Sequence, residues 1–406
     1  MEKCDTKRAL SMTSFLIKKA ILFTFLAAII LILGGVGGVF FERSVVPRLA
    51  ANKHLSQWDF FKQAAEHVTV INKTEQVVVR EDDTVEKIVS QPATAVVNIV
   101  ALPSESKDVK GNTATLGAAA ETVVTTTGVL MTNDGLVVTY SELPFDTQKT
   151  RYSILLFDGS IHEAAFVGRD VLTNLSFFRV SDATNTPAIA LANSDDARVG
   201  KKLIAIGNTF AEYQNRLSVD ILTNVNRIFN LSGKTVASSE KWEGVFEMGL
   251  AEPEAFVGGP VVGWNGEMVG LVGTLTINNT LQSFLIPSNV VRDAFNHVTS
   301  GTLEKRPTLG VYYLSITKAL ALGRGLSRDR GALVYSRSGS TGLALIADSP
   351  AMKAGILAGD IITAVNDSEV NLDNPLSELI SRFNQGDTLN LRILRGGEER
   401  TVEVKL

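Results

Sequence analysis

Glu252-Pro253-Glu254-Ala255-Phe256-Val257-Gly258-Gly259-Pro260-Val261-Val262-Gly263-Trp264-Asn265-Gly266-Glu267 is the stretch whose reading decides the fold. Gly258-Gly259-Pro260 sets a tight loop, and Asn265-Gly266 between apolar runs is a strong hairpin signal. The pattern predicts a loop that feeds a two-strand ribbon. Short apolar runs recur on both sides of it, at 95–100, 128–131, 135–139, 152–157, 163–167, 203–206, 217–225, 246–250, 268–276 and 282–286. Many short strands, turns such as Asn133-Asp134-Gly135 and Asp158-Gly159, and little helix predict a mainly β barrel or sandwich. A short helix over 85–90, capped by Asp82-Asp83-Thr84, should precede it, and a helix over 287–297 should close it.

Composition narrows the function. The chain has 406 residues, a formal net charge of −4 and a pI near 5.7. No basic field points to nucleic acid. The single cysteine, Cys4, precedes the apolar run at 21–41, so the chain beyond that run has no disulfide, thiol nucleophile or cysteine metal site. The four histidines are scattered, and no metal or cofactor is indicated.

Ile21 to Phe41 is an uncharged run of 21 residues, long enough to cross a bilayer. Lys3, Lys7, Arg8, Lys18 and Lys19 crowd its N-terminal side, which predicts a cytoplasmic tail (1–20), a single transmembrane helix (21–41) and an extracytoplasmic remainder in the cell membrane. A cleaved signal peptide is the competing reading; its apolar region is normally about 7–15 residues, and no A-x-A site follows promptly. Residues 42–82 read as a stalk, with Trp58, Phe60 and Phe61 unusual in so polar a stretch.

Five strings in register carry a family resemblance: 135–143 (GLVVTYSEL), 167–175 (VGRDVLTNL), 198–210 (RVG to AIGNTF), 255–260 (AFVGGP) and 284–289 (FLIPSN). Together they resemble the trypsin-like serine proteases of the HtrA/Deg family. The resemblance implies a double six-stranded β-barrel over 83–302. It also implies where catalysis would sit. The general-base histidine falls on Glu142, the orienting aspartate on Asn174 and the nucleophilic serine on Val257, with Ala255 and Phe256 left as a remnant oxyanion loop. A valine has no lone pair and forms no acyl-enzyme. Asn174, a neutral amide, could not stabilise an imidazolium. His54, His67, His162 and His297 all lie off the strand where the base is needed. A Ser141–Glu142 pair or a serine–Lys241 dyad is conceivable, but no spacing supports either. The catalytic set is therefore none, and the domain reads as a pseudoprotease.

Residues 303–406 resemble the family's PDZ domain, most specifically at 348–366 (DSPAMKAGILAGDIITAVN). The resemblance implies that Leu309, Gly310 and Val311 form a carboxylate-binding loop running into a strand with Tyr312 and Tyr313. The apolar stripe Leu376, Leu379, Ile380 and Phe383 would form the opposing helix. Such a groove binds an extended peptide by strand addition and needs no catalytic residue. It could also be self-occupied or blocked by the two tyrosines. The expected function is a membrane-anchored pseudoprotease binding C-terminal or unfolded protein segments, in envelope quality control or stress sensing. The alternative is an active endopeptidase that degrades misfolded envelope proteins. The resemblance also implies trimers formed through aromatic residues ahead of the barrel, as a homotrimer or a mixed oligomer with active relatives.

Overall fold

The computed structural model describes residues 34, 81–103, 124–140, 150–208, 215–233, 235–277, 279–336 and 343–406. The expected membrane helix (apart from Gly34), the stalk aromatics, His54, His67, Ser141 and Glu142 lie outside the described residues. From Val79 to Leu406 the chain is one compact unit.

Helix α1 (Glu81–Val89) leads into β1 (Val96–Pro103), β2 (Val124–Leu130), β3 (Leu136–Tyr140), β4 (Thr150–Leu155), β5 (Ile161–Arg169) and β6 (Leu175–Val180). These close a barrel in the order β1-β2-β3-β6-β5-β4. A second barrel follows, built from β7 (Lys202–Gly207), β8 (Arg216–Asn230), β10 (Glu243–Met248), β11 (Pro260–Val262), β12 (Met268–Ile277) and β13 (Thr280–Pro287). It closes in the order β10-β13-β12-β11-β7-β8. Closure leaves no open edge in either sheet, which is how short strands of this composition avoid unpaired backbone. The Asn265-Gly266 turn joins β11 to β12, with Gly266 at φ 78°, as the hairpin reading requires.

The two barrels share one apolar core. Phe177 and Phe178 of β6 are fully buried, and Tyr140 of β3 meets Phe284 of β13 edge to face at 5.5 Å. Such pairs contribute about 0.5–1.5 kcal/mol beyond their buried area. Helix α2 (Ser288–Thr299) packs on β12 and β13. Val290, Val291 and Ala294 on its inner side are buried, and Gly301 at φ 66° follows its end.

The C-terminal region is a separate sheet of β14 (Tyr312–Ser315), β15 (Ala332–Val334), β16 (Ile361–Val365), β17 (Ser368–Glu369), β18 (Thr388–Arg395) and β19 (Glu398–Lys405). Helices α3 (Lys318–Arg324), α4 (Pro350–Lys353) and α5 (Leu376–Ser381) accompany it. Leu376, Leu379 and Ile380, spaced i, i+3 and i+4, turn α5 onto the core, and Phe383 packs against that core just beyond the helix. The sheet order is β19-β18-β16-β15-β14-β9. The last member, β9 (Ala237–Ser238), does not belong to this region's sequence. It is a detour from the second barrel, between β8 and β10.

Candidate functional site

The loop expected to carry a nucleophile is a 3₁₀ turn, Pro253–Phe256, followed by extended Val257 (φ −56°, ψ 128°). Pro253 at its start is fixed near helical φ, which favours the turn. Its consequence is a hydrogen bond in which the Ala255 N–H donates to the Glu252 carbonyl at 3.1 Å. Gly259 N–H likewise donates to the Phe256 carbonyl at 2.9 Å. An oxyanion hole needs amides aimed at the reacting oxygen, and the Ala255 amide is aimed back into its own turn. Phe256 is buried in the second barrel's core, while Val257 packs against the shared core and its carbonyl accepts from Thr126 Oγ1 at 3.3 Å. Gly258 holds φ 78°, and a Cβ there would stand 2.2 Å from the Thr127 carbonyl oxygen. Glu252 does not bear on the loop as a bare charge: it pairs with Arg216 at 2.9 Å.

Asn174 sits in the loop between β5 and β6, at φ 61°. Its Oδ1 accepts from Lys241 Nζ at 2.6 Å, and the same ammonium reaches the Val171 carbonyl at 2.6 Å. Lys241 therefore ends on carbonyl-type oxygens rather than on a serine. Burial first, and Arg169 second, draw its pKa below the ordinary lysine value, against the pull of Asp170. Asp170 itself is fully buried and takes a bidentate bond from Arg306 (Nε to Oδ1 3.1 Å, Nη2 to Oδ2 2.9 Å), while Thr173 Oγ1 donates to Oδ2 at 2.8 Å. Arg306 also reaches Asp293 of α2 at 2.7 Å. Burial pulls Arg306 down, but the two carboxylates outweigh it and hold the guanidinium above its ordinary value.

Two histidines fall within the described residues. His297 Nδ1 lies 2.9 Å from Thr302 Oγ1 beside the Arg306 cluster; burial and Arg306 lower its pKa. His162 Nε2 lies 3.0 Å from Ser160 Oγ at the β4–β5 turn. There the serine donates to Asp158 Oδ1 at 2.6 Å, so its proton is committed to the carboxylate. In a working triad the acid orients the imidazole and the serine donates to the imidazole; here the acid holds the serine.

The second candidate site is the loop 309–311. Leu309, Val311 and Tyr313 are fully buried, and Gly310 holds φ 80°. A Cβ on Gly310 would lie 2.2 Å from the Ser349 Cβ, so the position admits only glycine. The loop's amides converge on one carboxylate. Leu309 N–H and Gly310 N–H donate to Glu240 Oε1 at 3.1 and 2.7 Å, and Val311 N–H donates to Ser239 Oγ at 2.9 Å. Beside them β9 pairs antiparallel with β14, Tyr312 opposite Ser238 and Tyr313 opposite Ala237. Tyr313 does not block a groove. It is buried and donates its hydroxyl to Glu243 Oε2 at 2.7 Å, while Ser315 Oγ donates to Oε1 at 2.5 Å. Burial raises the Glu243 pKa above the ordinary carboxylate value, against both hydrogen bonds, and burial with the neighbouring Glu243 pushes the Tyr313 hydroxyl well up. Sequence reasoning gave no role to Ser239, Glu240 or Glu243. The one signal that could have flagged them is an extended run of small residues, Val236-Ala237-Ser238-Ser239, ending on an acid.

The sequence profile described as "Trypsin-like peptidase domain" matches residues 122–271, and that described as "PDZ domain" matches residues 318–406. With the two barrels and the C-terminal sheet, they define the class: a trypsin-like peptidase fold joined to a PDZ domain. The chain is 27% identical over 282 residues to the "Probable periplasmic serine endoprotease DegP-like" of Rhizobium meliloti (strain 1021), covering 69% of this chain and 52% of that one. It is 28% identical over 283 residues to the "Periplasmic serine endoprotease DegP" of Escherichia coli (strain K12), covering 69% and 56%. It thus spans about half the length of these curated relatives. Similar solved structures include "HtrA-type protease AlgW with decapeptide" (TM-score 0.58, 22% identity, 78% of this chain and 96% of that one). The same protease "with tripeptide" gives a TM-score of 0.60 at 22% identity, covering 78% and 95%. In both domains and in their order the chain is similar to the HtrA/Deg proteases.

Proposed function

We propose that this chain is a membrane-anchored, extracytoplasmic pseudoprotease that recognises C-terminal or unfolded protein segments through its PDZ domain, in envelope quality control or stress sensing. The observation that carries the reading is the pairing of Val257, where the family has its serine, with an Ala255 amide bonded to the Glu252 carbonyl. One removes the nucleophile and the other removes an oxyanion donor, and each loss alone is large. Peptide recognition draws support from the PDZ match and from the relatives solved with a decapeptide and a tripeptide. The periplasmic names of the DegP relatives support an extracytoplasmic barrel. The membrane anchor rests on the charge-flanked apolar run at 21–41.

The test is hydrolysis of casein by purified full-length protein in detergent. No cleavage is expected. Cleavage that survives repurification and disappears in Ser160→Ala would replace this reading with an endopeptidase built on the Ser160–His162 contact.

A further inference from the structure

We infer that residues 236–240 are an internal ligand of the PDZ groove, and that a peptide with a free C-terminal carboxylate binds by displacing them. The inference rests on the peptide-binding reading above and adds how that site is kept closed. Strand addition beside a carboxylate loop uses three kinds of contact: backbone pairing along the strand, amides on an anion, and side chains against the facing helix. The chain supplies all three to itself. β9 runs antiparallel to β14, so its C-terminal end arrives at the loop, as the end of a bound peptide would. Ser239 N–H donates to the Val311 carbonyl at 3.0 Å, extending the ladder by one residue.

One residue further on, the Glu240 side chain stands in for a terminal carboxylate, taking the amides of Leu309 and Gly310. It is braced there, since Ser238 Oγ donates to Oε2 at 2.8 Å and Ser239 Oγ to Oε1 at 2.7 Å. Ala237, almost fully buried, belongs to the same apolar core as Leu376, Leu379 and Ile380 of α5. Val236, on the other face, joins Leu314 and Ile316. A free polar loop would not bury two hydroxyls and an alanine in this register.

The internal ligand is also wired to the barrel. The next two residues grip the loop that holds Asn174: Lys241 Nζ bonds Asn174 Oδ1 and the Val171 carbonyl, and Trp242 N–H donates to the Leu172 carbonyl at 2.8 Å. These bonds fix the C-terminal end of the internal ligand to the barrel.

The experiment uses full-length protein and a fluorescein-labelled octapeptide pool ending in Ala, Val, Leu or Phe, prepared with free and with amidated C termini. Self-occupancy lowers apparent affinity by the fraction of open groove. Glu240→Ala removes charge-assisted bonds, so it should tighten binding of the free-carboxylate pool about tenfold. Glu240→Gln should give a smaller gain, and the amidated pool should not respond. Hydrogen exchange at 309–311 should quicken in Glu240→Ala and slow again on adding the free-carboxylate pool. Equal binding by wild type and Glu240→Ala overturns the internal ligand and leaves the peptide groove standing. No binding by any variant, with 309–311 exchanging freely in Glu240→Ala, overturns the peptide groove and therefore displacement by a peptide.

Discussion

Two loops of this molecule are built to present backbone amides to a negative charge, and they have opposite fates. In the barrel, residues 253–256 curl into a 3₁₀ turn; the Ala255 and Gly259 amides answer carbonyls of the same loop, while Gly258 N–H donates to the Val272 carbonyl. In the PDZ domain, residues 309–311 keep their amides pointed outward, and a carboxylate meets them. On the proposed reading the first loop lacks both a nucleophile and an oxyanion geometry, and the second keeps its geometry with Glu240 as an internal occupant. Catalysis depends on a few polar atoms placed to within fractions of an ångström, so under the proposed function one substituted side chain and one turned amide are enough to end it. Peptide capture depends on a backbone edge and a glycine at positive φ, which side-chain drift elsewhere leaves intact.

The greatest loss should come from the buried cluster in which Arg306 bridges Asp170 and Asp293. Arg306→Ala leaves Asp170 buried without its partner and should destabilise the chain by about 3–5 kcal/mol in urea unfolding followed by tryptophan fluorescence. Tyr313→Phe removes a donor from the buried Glu243 and should cost about 1–3 kcal/mol in the same assay. Glu240→Ala should cost about 1.4 kcal/mol of stability, the equivalent of the tenfold gain in binding, because opening the groove exposes the 309–311 amides to water rather than stranding them.

The pH dependence sharpens the contrast further. Glu243 has a folded pKa raised above its unfolded one, so the native state binds the extra proton between the two values. Its contribution is therefore fully present below the unfolded pKa and declines as pH rises through the window up to the folded pKa. Glu243→Gln should flatten that part of a melting-temperature profile against pH. The smallest effect expected is none: Val257→Ser should not restore casein cleavage, because Ala255 N–H remains bonded to Glu252 O and Asn174 to Lys241.

The fold was largely legible in the sequence because its signals are local. The hairpin at Asn265-Gly266, the alternating strands and the closing helix after Pro287 each declare themselves within ten residues, and all appear with shifted ends. β6 was seen only as part of a motif, since Leu175–Val180 is buried on both faces and mixes Ser176 and Arg179 with apolar residues, so it gives no alternation. The valine at 257, where the resemblance puts a serine, was legible in the sequence alone. The Ala255 amide was not, because a backbone direction is set by the turn that Pro253 starts. Glu240 escaped for a different reason: its partners lie 69 and 70 positions away, in another domain, and no periodicity encodes them. The same holds for the Arg306–Asp170 pair, 136 positions apart.

If the molecule is a pseudoprotease, its barrel carries no activated hydroxyl. Incubating the full-length protein with a fluorophosphonate and measuring intact mass decides this. The predicted result is an unmodified chain before and after saturation with the free-carboxylate peptide pool. An adduct mapped to Ser160, or to any other serine of the barrel, would contradict it.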